Sequence, residues 1–182
     1  FYPYIEKLGK NKKTVIIDDK TCSYHILELL KKNNTNVIKK NNPCLYYKAC
    51  KNKIEIKGIV EAHIRDGKSI SQAIYWLKNN FLKESIDELM VANKMFDLRK
   101  DNKNFISLSF PTIAGTGPNA AIIHYRPTIS SSRKIKESDL LLIDSGAQYL
   151  DGTTDATRTI CLGGPTIEQK RNFTKVLKGH IA

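Results

Sequence analysis

The chain has 182 residues, 26% of them charged and 41% hydrophobic, a globular rather than a disordered composition. At about 150 residues per domain, this length allows one domain and part of another. The formal net charge is +12, but no apolar run approaches the roughly 18 residues that a membrane span needs, and no signal-peptide pattern opens the chain at Phe1-Tyr2-Pro3-Tyr4. Without a starting Met, the numbering is expected to begin inside a longer protein or after processing.

Residues 14–18 are a β-branched run and predict a strand. Ser23 then caps a helix through about Leu30, with Ile26, Leu27, Leu29 and Leu30 as its apolar face. Residues 36–38 predict a second short strand, and Asn42-Pro43 breaks the chain. Strand–helix–strand is incomplete alone, so this opening reads as the end of an α/β domain. From about Asn52 apolar residues recur at helical spacing as far as Phe81, one long helix. Ser85-Ile86-Asp87-Glu88 reads as a capping box opening a second helix, expected to lie antiparallel to the first against a sheet.

After Asn104 the period shifts towards two. Residues 105–110 predict a strand, 115–119 a turn and 120–125 another strand. Residues 140–144 predict a buried strand ending in a carboxylate, and 157–162 its neighbour. Thr166 and Gln169 are spaced as a capping box for a final helix that reaches the last residue, Ala182, without a Gly cap.

The positive charge first suggests nucleic acid or an anionic membrane. Its distribution argues against both: net +8 before residue 60 and +4 after it, in Lys- and Asn-rich stretches without aromatic interleaving or a basic helical stripe. Cys22, Cys44, Cys50 and Cys161 form no Cys-x-x-Cys pair and read as reduced, mostly buried thiols. His63-Ile64-Arg65-Asp66 superficially resembles a kinase catalytic loop, but it sits mid-helix without a Gly-rich loop and reads as a partly buried helix face.

The chemistry concentrates in residues 144–159. Asp144 follows four apolar residues, so it projects from the end of a buried strand, where an unpaired carboxylate is costly. Asp155 lies on the return strand. Two carboxylates facing one pocket repel unless a cation sits between them, and hard divalent ions such as Mn²⁺ take such oxygen ligands. Register decides whether they meet. A two-residue turn at Asp151-Gly152 would pair Asp155 with Gln148 and leave Asp144 distant. A tip near Tyr149-Leu150, or a bulge at Asp151-Gly152, would bring them together. The alternative is a hairpin whose Asp residues are turn formers, which Asp151 beside Gly152 also fits.

The segments Asp144-Ser145-Gly146-Ala147-Gln148-Tyr149 and Asp151-Gly152-Thr153-Thr154-Asp155 resemble the metal-binding strand pair of the cytosolic Xaa-Pro aminopeptidases (aminopeptidase P) of the pita-bread metallopeptidase superfamily. Ala62-His63-Ile64-Arg65-Asp66-Gly67, Leu108-Ser109-Phe110-Pro111-Thr112-Ile113, Gly117-Pro118-Asn119 with the residues to Tyr125, and Val176-Leu177-Lys178-Gly179-His180 agree in the same order. The resemblance covers about residues 48–182, and Ala156 stands where the family usually has Val. It implies an α/β (α+β) fold. Residues 49–182 would be the front half of a pita-bread catalytic domain, and residues 1–48 the end of a creatinase-like α/β domain.

Carried over residue by residue, the resemblance makes Asp144 a terminal ligand of one metal and Asp155 a bridging ligand of two. It makes His124 a catalytic, substrate-contacting histidine and Phe110 an aromatic lining the substrate pocket. It implies two divalent ions, Mn²⁺ first with Zn²⁺ or Co²⁺ possible, whose bridging water attacks the peptide bond before proline and releases the N-terminal residue. The family's remaining ligands, one histidine and two glutamates, have no counterpart here: His180 lies in a segment resembling a non-ligand helix, and Glu168 suits a helix start. They are expected beyond Ala182, and the 182 residues alone are expected to be inactive. The resemblance further implies peptide partners with proline in second position, a homodimer and a cytoplasmic location. The alternative is a metal-free pita-bread-like binding module, against which retention of both Asp144 and Asp155 speaks.

Overall fold

Val15 and Ile17 alternate with residues facing the opposite side of a short strand, β1 (Thr14–Ile17), which pairs in parallel with β2 (Asn36–Lys39) from Thr14 opposite Asn36 to Ile17 opposite Lys39. In this computed structural model, which describes residues 1–182, the chain divides into two units, Phe1–Asn52 and Lys53–Ala182. In the first unit, α2 (Tyr24–Lys32) makes the crossover that a parallel pair requires. Ile5, Ile17 and Leu30 form its core.

Two helices of this unit escape the sequence pattern. α1 (Tyr2–Lys10) carries Pro3 in its first turn, where a missing N–H costs nothing, but buries only Ile5 and Gly9. α3 (Cys44–Ala49) buries nothing, so it has no apolar period to read. The cysteines are free, as expected, but not mostly buried: Cys44 and Cys50 are exposed, and Cys22 and Cys161 are half-buried.

The second unit opens with α4 (Lys53–Asn80), a 28-residue helix whose buried stripe is Ala62, Asp66, Ser69, Ala73 and Leu77. The 4-3-4-4 spacing keeps these on one side, and the small residues let other chain approach closely. α5 (Glu88–Lys100) turns Val91 and Met95 into the same core. Asp87, not Ser85, caps α5, its side chain accepting from Met90 N at 2.8 Å. The expected Ser85–Glu88 box does not form, because Glu88 is turned inward.

Two three-stranded sheets complete the unit. The first has the order β4-β5-β8, from β4 (Ile113–Thr116), β5 (Leu140–Ser145) and β8 (Ala156–Cys161). The second has the order β3-β6-β7, from β3 (Phe105–Leu108), β6 (Ala147–Tyr149) and β7 (Gly152–Thr153). Ala114, Leu141, Ile143 and Ile160 of the first sheet join Leu77, Val91 and Met95 in the main core. Residues 120–125 are not a strand. A 3₁₀ helix, Gly117–Ala121, and a following turn occupy this stretch, because Pro118 presets a helical φ and cannot donate to a ladder.

The last helix, α6 (Ile167–Ile181), carries the expected capping box: Thr166 N donates to Gln169 Oε1 at 2.8 Å, and Gln169 N to Thr166 Oγ1 at 3.1 Å. No helix is long and apolar enough to cross a membrane.

Candidate metal centre

The register of one hairpin places the two carboxylates. On β5 and β8, Asp144 lies opposite Thr157 and Ser145 opposite Ala156; on β6 and β7, Gln148 lies opposite Thr153 and Tyr149 opposite Gly152. One register runs unbroken through both ladders, so Leu150-Asp151 is the two-residue tip and Asp155 falls opposite Gly146. The tip is at neither position weighed from the sequence, and no bulge at Asp151-Gly152 is needed. Residues 155 and 157 share a face, and that face is the one Asp144 presents beside Thr157. Asp144 and Asp155 are therefore diagonal neighbours, a relation that separates Cα atoms by roughly 7–8 Å in an antiparallel pair.

Local chemistry breaks one long ladder into two at this point. Thr154 is fully buried, and its Oγ1 accepts the Ala147 N–H at 2.9 Å in place of its own carbonyl. The Thr154 carbonyl accepts instead from Ser109 Oγ at 3.0 Å. A Cβ on Gly146 would collide with both that carbonyl and the Ser109 hydroxyl, so only glycine lets the three segments close beside Asp155.

On the other edge of β5, Ile113 lies opposite Asp144, whereas Leu108 lies opposite Ala147 on β6. The strand carrying β3 and β4 thus spends two more residues than its partner between these pairs. The excess is taken up by a bend at Ser109-Phe110, just before Pro111, and the Ser109 N–H donates to Gly146 O at 3.1 Å. Phe110 is half-buried in this bend, flanking the stretch of β5 that ends in Asp144.

Asp144 Oδ1 is buried and has no hydrogen-bond partner. Asp155 is exposed and makes no ion pair. An acceptor buried without a donor is expensive, and a cation is one kind of group that offsets that cost for a carboxylate. Two hard oxygen donors on one face suit a divalent ion such as Mn²⁺ or Mg²⁺. They form only part of a site: no cluster of three or more His, Cys, Asp or Glu side chains that could hold a metal is present.

His124 lies elsewhere in the sheet's loops. It is exposed in the turn after the 3₁₀ helix, at φ 56°, and no hydrogen bond links it to Asp144, Asp155 or Phe110. The structure therefore assembles the two carboxylates, sets Phe110 on the flanking bend, and leaves His124 on a separate turn.

Three polar clusters behind the site were missed or underrated in the sequence. Arg99 and Asp66, both essentially buried, form a two-pronged pair at 2.6 and 2.8 Å, and Tyr149 Oη donates to Asp66 Oδ1 at 2.9 Å. Burial pushes the Tyr149 hydroxyl up to about 12; the Asn102 hydrogen bond opposes this, and the Asp66 carboxylate adds to it. Arg65 pairs with Asp151 at the hairpin tip and stacks over the Tyr149 ring at 5.2 Å. Asn104 Nδ2 also donates to Asp151, at 3.2 Å. Burial works to raise the Asp151 carboxyl, but the Arg65 and Asn104 hydrogen bonds outweigh it and hold it below the usual carboxylate value. Glu88 is the third cluster, fully buried and met by donors from four places. The spacing of Arg65 and Asp66 on α4 was visible in the sequence; their partners, up to 86 residues away, were not.

Residues 57–182 match the family model for metallopeptidase family M24. The Xaa-Pro aminopeptidase ApepP of Drosophila melanogaster is 40% identical over 179 residues, which are 98% of this chain and 29% of that protein. A probable Xaa-Pro aminopeptidase P of Laccaria bicolor is 43% identical over 177 residues, 97% of this chain and 27% of that one. Among solved structures, the X-prolyl aminopeptidase of Caenorhabditis elegans, described as a cytosolic enzyme with a di-nuclear active site, superposes with a TM-score of 0.83 at 31% identity, over 92% of this chain and 28% of that one. Prolidase from Pyrococcus furiosus superposes with a TM-score of 0.77 at 28% identity, over 95% of this chain and 50% of that one. The chain thus spans less than a third of the length of these aminopeptidase relatives.

Proposed function

The chain belongs to metallopeptidase family M24, with the mixed α/β pita-bread fold of that family, and from that premise we propose that the protein is a metallo-aminopeptidase that releases the N-terminal residue from peptides with proline in second position. The observation that carries this reading is the Asp144–Asp155 pair: one face, diagonal register, and an Asp144 oxygen buried without a donor.

Asp144 and Asp155 would hold two divalent ions, Asp144 as a ligand of one and Asp155 as a ligand shared by both. Bound there, the ions supply an activated water and a polarised scissile carbonyl. Manganese is our assignment, ahead of zinc and cobalt. One histidine and two glutamates outside these 182 residues would complete the site, so the 182-residue segment alone should be inactive. Phe110 offers an apolar wall suited to a proline ring. His124, exposed on its turn, can donate or accept one hydrogen bond to the substrate and orient it.

Residues 1–48 would be the end of a creatinase-like domain and 49–182 the first half of the catalytic one. A cytoplasmic homodimer that binds neither nucleic acid nor membrane is part of the same reading. It is supported by the likeness to a cytosolic relative and by charge spread without an aromatic or helical pattern.

The test uses the full-length protein loaded in turn with Mn²⁺, Zn²⁺ and Co²⁺. Release of the first residue from an X-Pro-containing peptide, and not from its X-Ala counterpart, is the expected result. No cleavage with any of the three metals would sink the reading.

A further inference from the structure

Glu88, the first residue of α5, is fully buried and makes no ion pair. Its carboxylate is met by one stretch of chain instead. Oε1 accepts from Thr116 N at 2.6 Å, and Oε2 accepts from Tyr125 Oη at 2.7 Å and from Arg133 N at 3.0 Å. Asn119 Nδ2 donates to both oxygens, at 3.2 and 2.9 Å. The four donors fall at intervals along residues 116–133. Tyr125 Oη also lies 3.0 Å from Ser131 O, which ties the far end of the stretch to the same point. The backbone is joined as well, Glu88 N donating to Arg133 O at 3.1 Å.

This stretch carries His124. After Thr116, the end of β4, it has no strand, only the Gly117–Ala121 3₁₀ turn, and His124 stands exposed in it at φ 56°. A left-handed histidine persists only where its surroundings hold it. Its next neighbour, Tyr125, is buried and fastened to Glu88. All the partners donate, which suits the acceptor-only ionised carboxylate, and the N-terminus of α5 favours that charge.

We infer that Glu88 is the positioning residue for His124: the buried carboxylate gathers Thr116, Asn119, Tyr125 and Arg133 and so fixes the turn from which His124 reaches substrate. This rests on the substrate-contacting role proposed above for His124.

Glu88→Gln keeps the volume but puts an amide donor where one carboxylate oxygen met donors, so it breaks an anchor without opening a cavity. Tyr125→Phe removes a single hydroxyl and serves if Glu88→Gln does not fold. Two readouts in the full-length protein decide the matter. The first is a cycle with His124→Ala, read as kcat/KM on an X-Pro peptide. Each anchor variant should lose about 10- to 100-fold in the native background and little more once His124 is gone. The second is amide hydrogen exchange, which should quicken across residues 117–133 and stay unchanged in β5 and β8, with metal content unaltered. Equal losses in both backgrounds, or unchanged exchange across 117–133, overturn the proposal. A native protein that cleaves no X-Pro peptide sinks the functional reading alone, and the exchange readout still decides whether Glu88 holds the turn.

Discussion

The acids of the helix layer and the acids of the open sheet face obey opposite rules. Asp66 accepts from both prongs of Arg99 and from Tyr149, and Glu88 accepts from four donors, two of them backbone N–H groups. Both residues are almost fully buried and their acceptor capacity is met. Asp144 and Asp155 sit on the β5–β8 face with no ion pair, and one Asp144 oxygen is buried with no donor at all. Burial alone therefore does not mark a working carboxylate in this chain. Unmet acceptor capacity alone does not either, since Asp139 Oδ2 is also buried without a partner; what sets Asp144 apart is that it joins such an oxygen to a second carboxylate, Asp155, on the same hairpin face.

Asp155→Ala tests this contrast with the largest expected effect. In the full-length protein it should lower kcat/KM on X-Pro peptides by about 10³-fold or more, since a bound metal is worth several kcal/mol of charge stabilisation. It should also abolish tight binding of one metal equivalent, read by calorimetry. In metal-free protein the same change should leave the melting temperature unchanged or raise it, because it removes repulsion and no hydrogen bond. A large loss of metal-free stability would place Asp155 among the structural acids and break the comparison.

Asp66→Ala should behave in the reverse way. It strands Arg99, which has no other carboxylate within ion-pair distance, in a buried position. Removing one partner of a buried pair costs about 3–5 kcal/mol. Denaturant unfolding should show that loss with or without metal. A loss below about 1 kcal/mol, the value of an exposed pair, would contradict the buried role.

The sequence made the open face more legible than the helix layer, and the reason is distance along the chain. Asp144 and Asp155 share one hairpin, so alternation and turn chemistry bring them within two register positions of the answer. The exact tip, Leu150-Asp151, was not readable: Thr154 replaces a main-chain acceptor with its hydroxyl, and Arg65 and Asn104 reach the Asp151 side chain from outside the hairpin. The 120–125 stretch was misread because Ile122 and Ile123 look β-forming, whereas both are exposed and Pro118 and Glu88 organise the chain around them. Glu88 itself looked like a capping residue. Nothing local reveals that its partners lie 28 to 45 residues further on.

Tyr149 links the two regions, since its ring sits on the hairpin and its hydroxyl donates to Asp66. With a folded value of about 12 against an ordinary value of 10.0, the neutral hydroxyl is favoured by folding. The contribution is fully present below pH 10 and is lost as pH rises towards 12. Tyr149→Phe should flatten the alkaline limb of stability in that window. In native protein, absorbance near 295 nm should show Tyr149 ionising above the ordinary tyrosine value, as burial also makes Tyr125 do, and Tyr149→Phe should remove its part of that late signal. A Tyr149 titrating at the ordinary value would mean that the Asp66 cluster is open to water, and the line between saturated and open acids would blur.

Asp151 should give the smallest effect, because it is only partly covered, with 24% of its side chain exposed, and its pair with Arg65 is screened by solvent. The Arg65 and Asn104 hydrogen bonds hold its folded value below the ordinary 3.8, overcoming burial. A depressed carboxyl contributes above its unfolded value and is lost as pH falls through the folded one, so the small contribution is present at pH 7 and its pH dependence is confined to the region below about pH 4. Asp151→Asn should therefore trim the acid limb of stability while leaving the curve at pH 7 shifted only slightly. It keeps one acceptor for Arg65 or Asn104, and it leaves the diagonal register of Asp144 and Asp155 in place, because that register is set by main-chain pairs and by Thr154. Metal affinity of the full-length Asp151→Asn protein should stay within about threefold of native. A loss as large as that of Asp155→Ala would show that Asp151 belongs with the open carboxylates and not with the acids that only hold the fold.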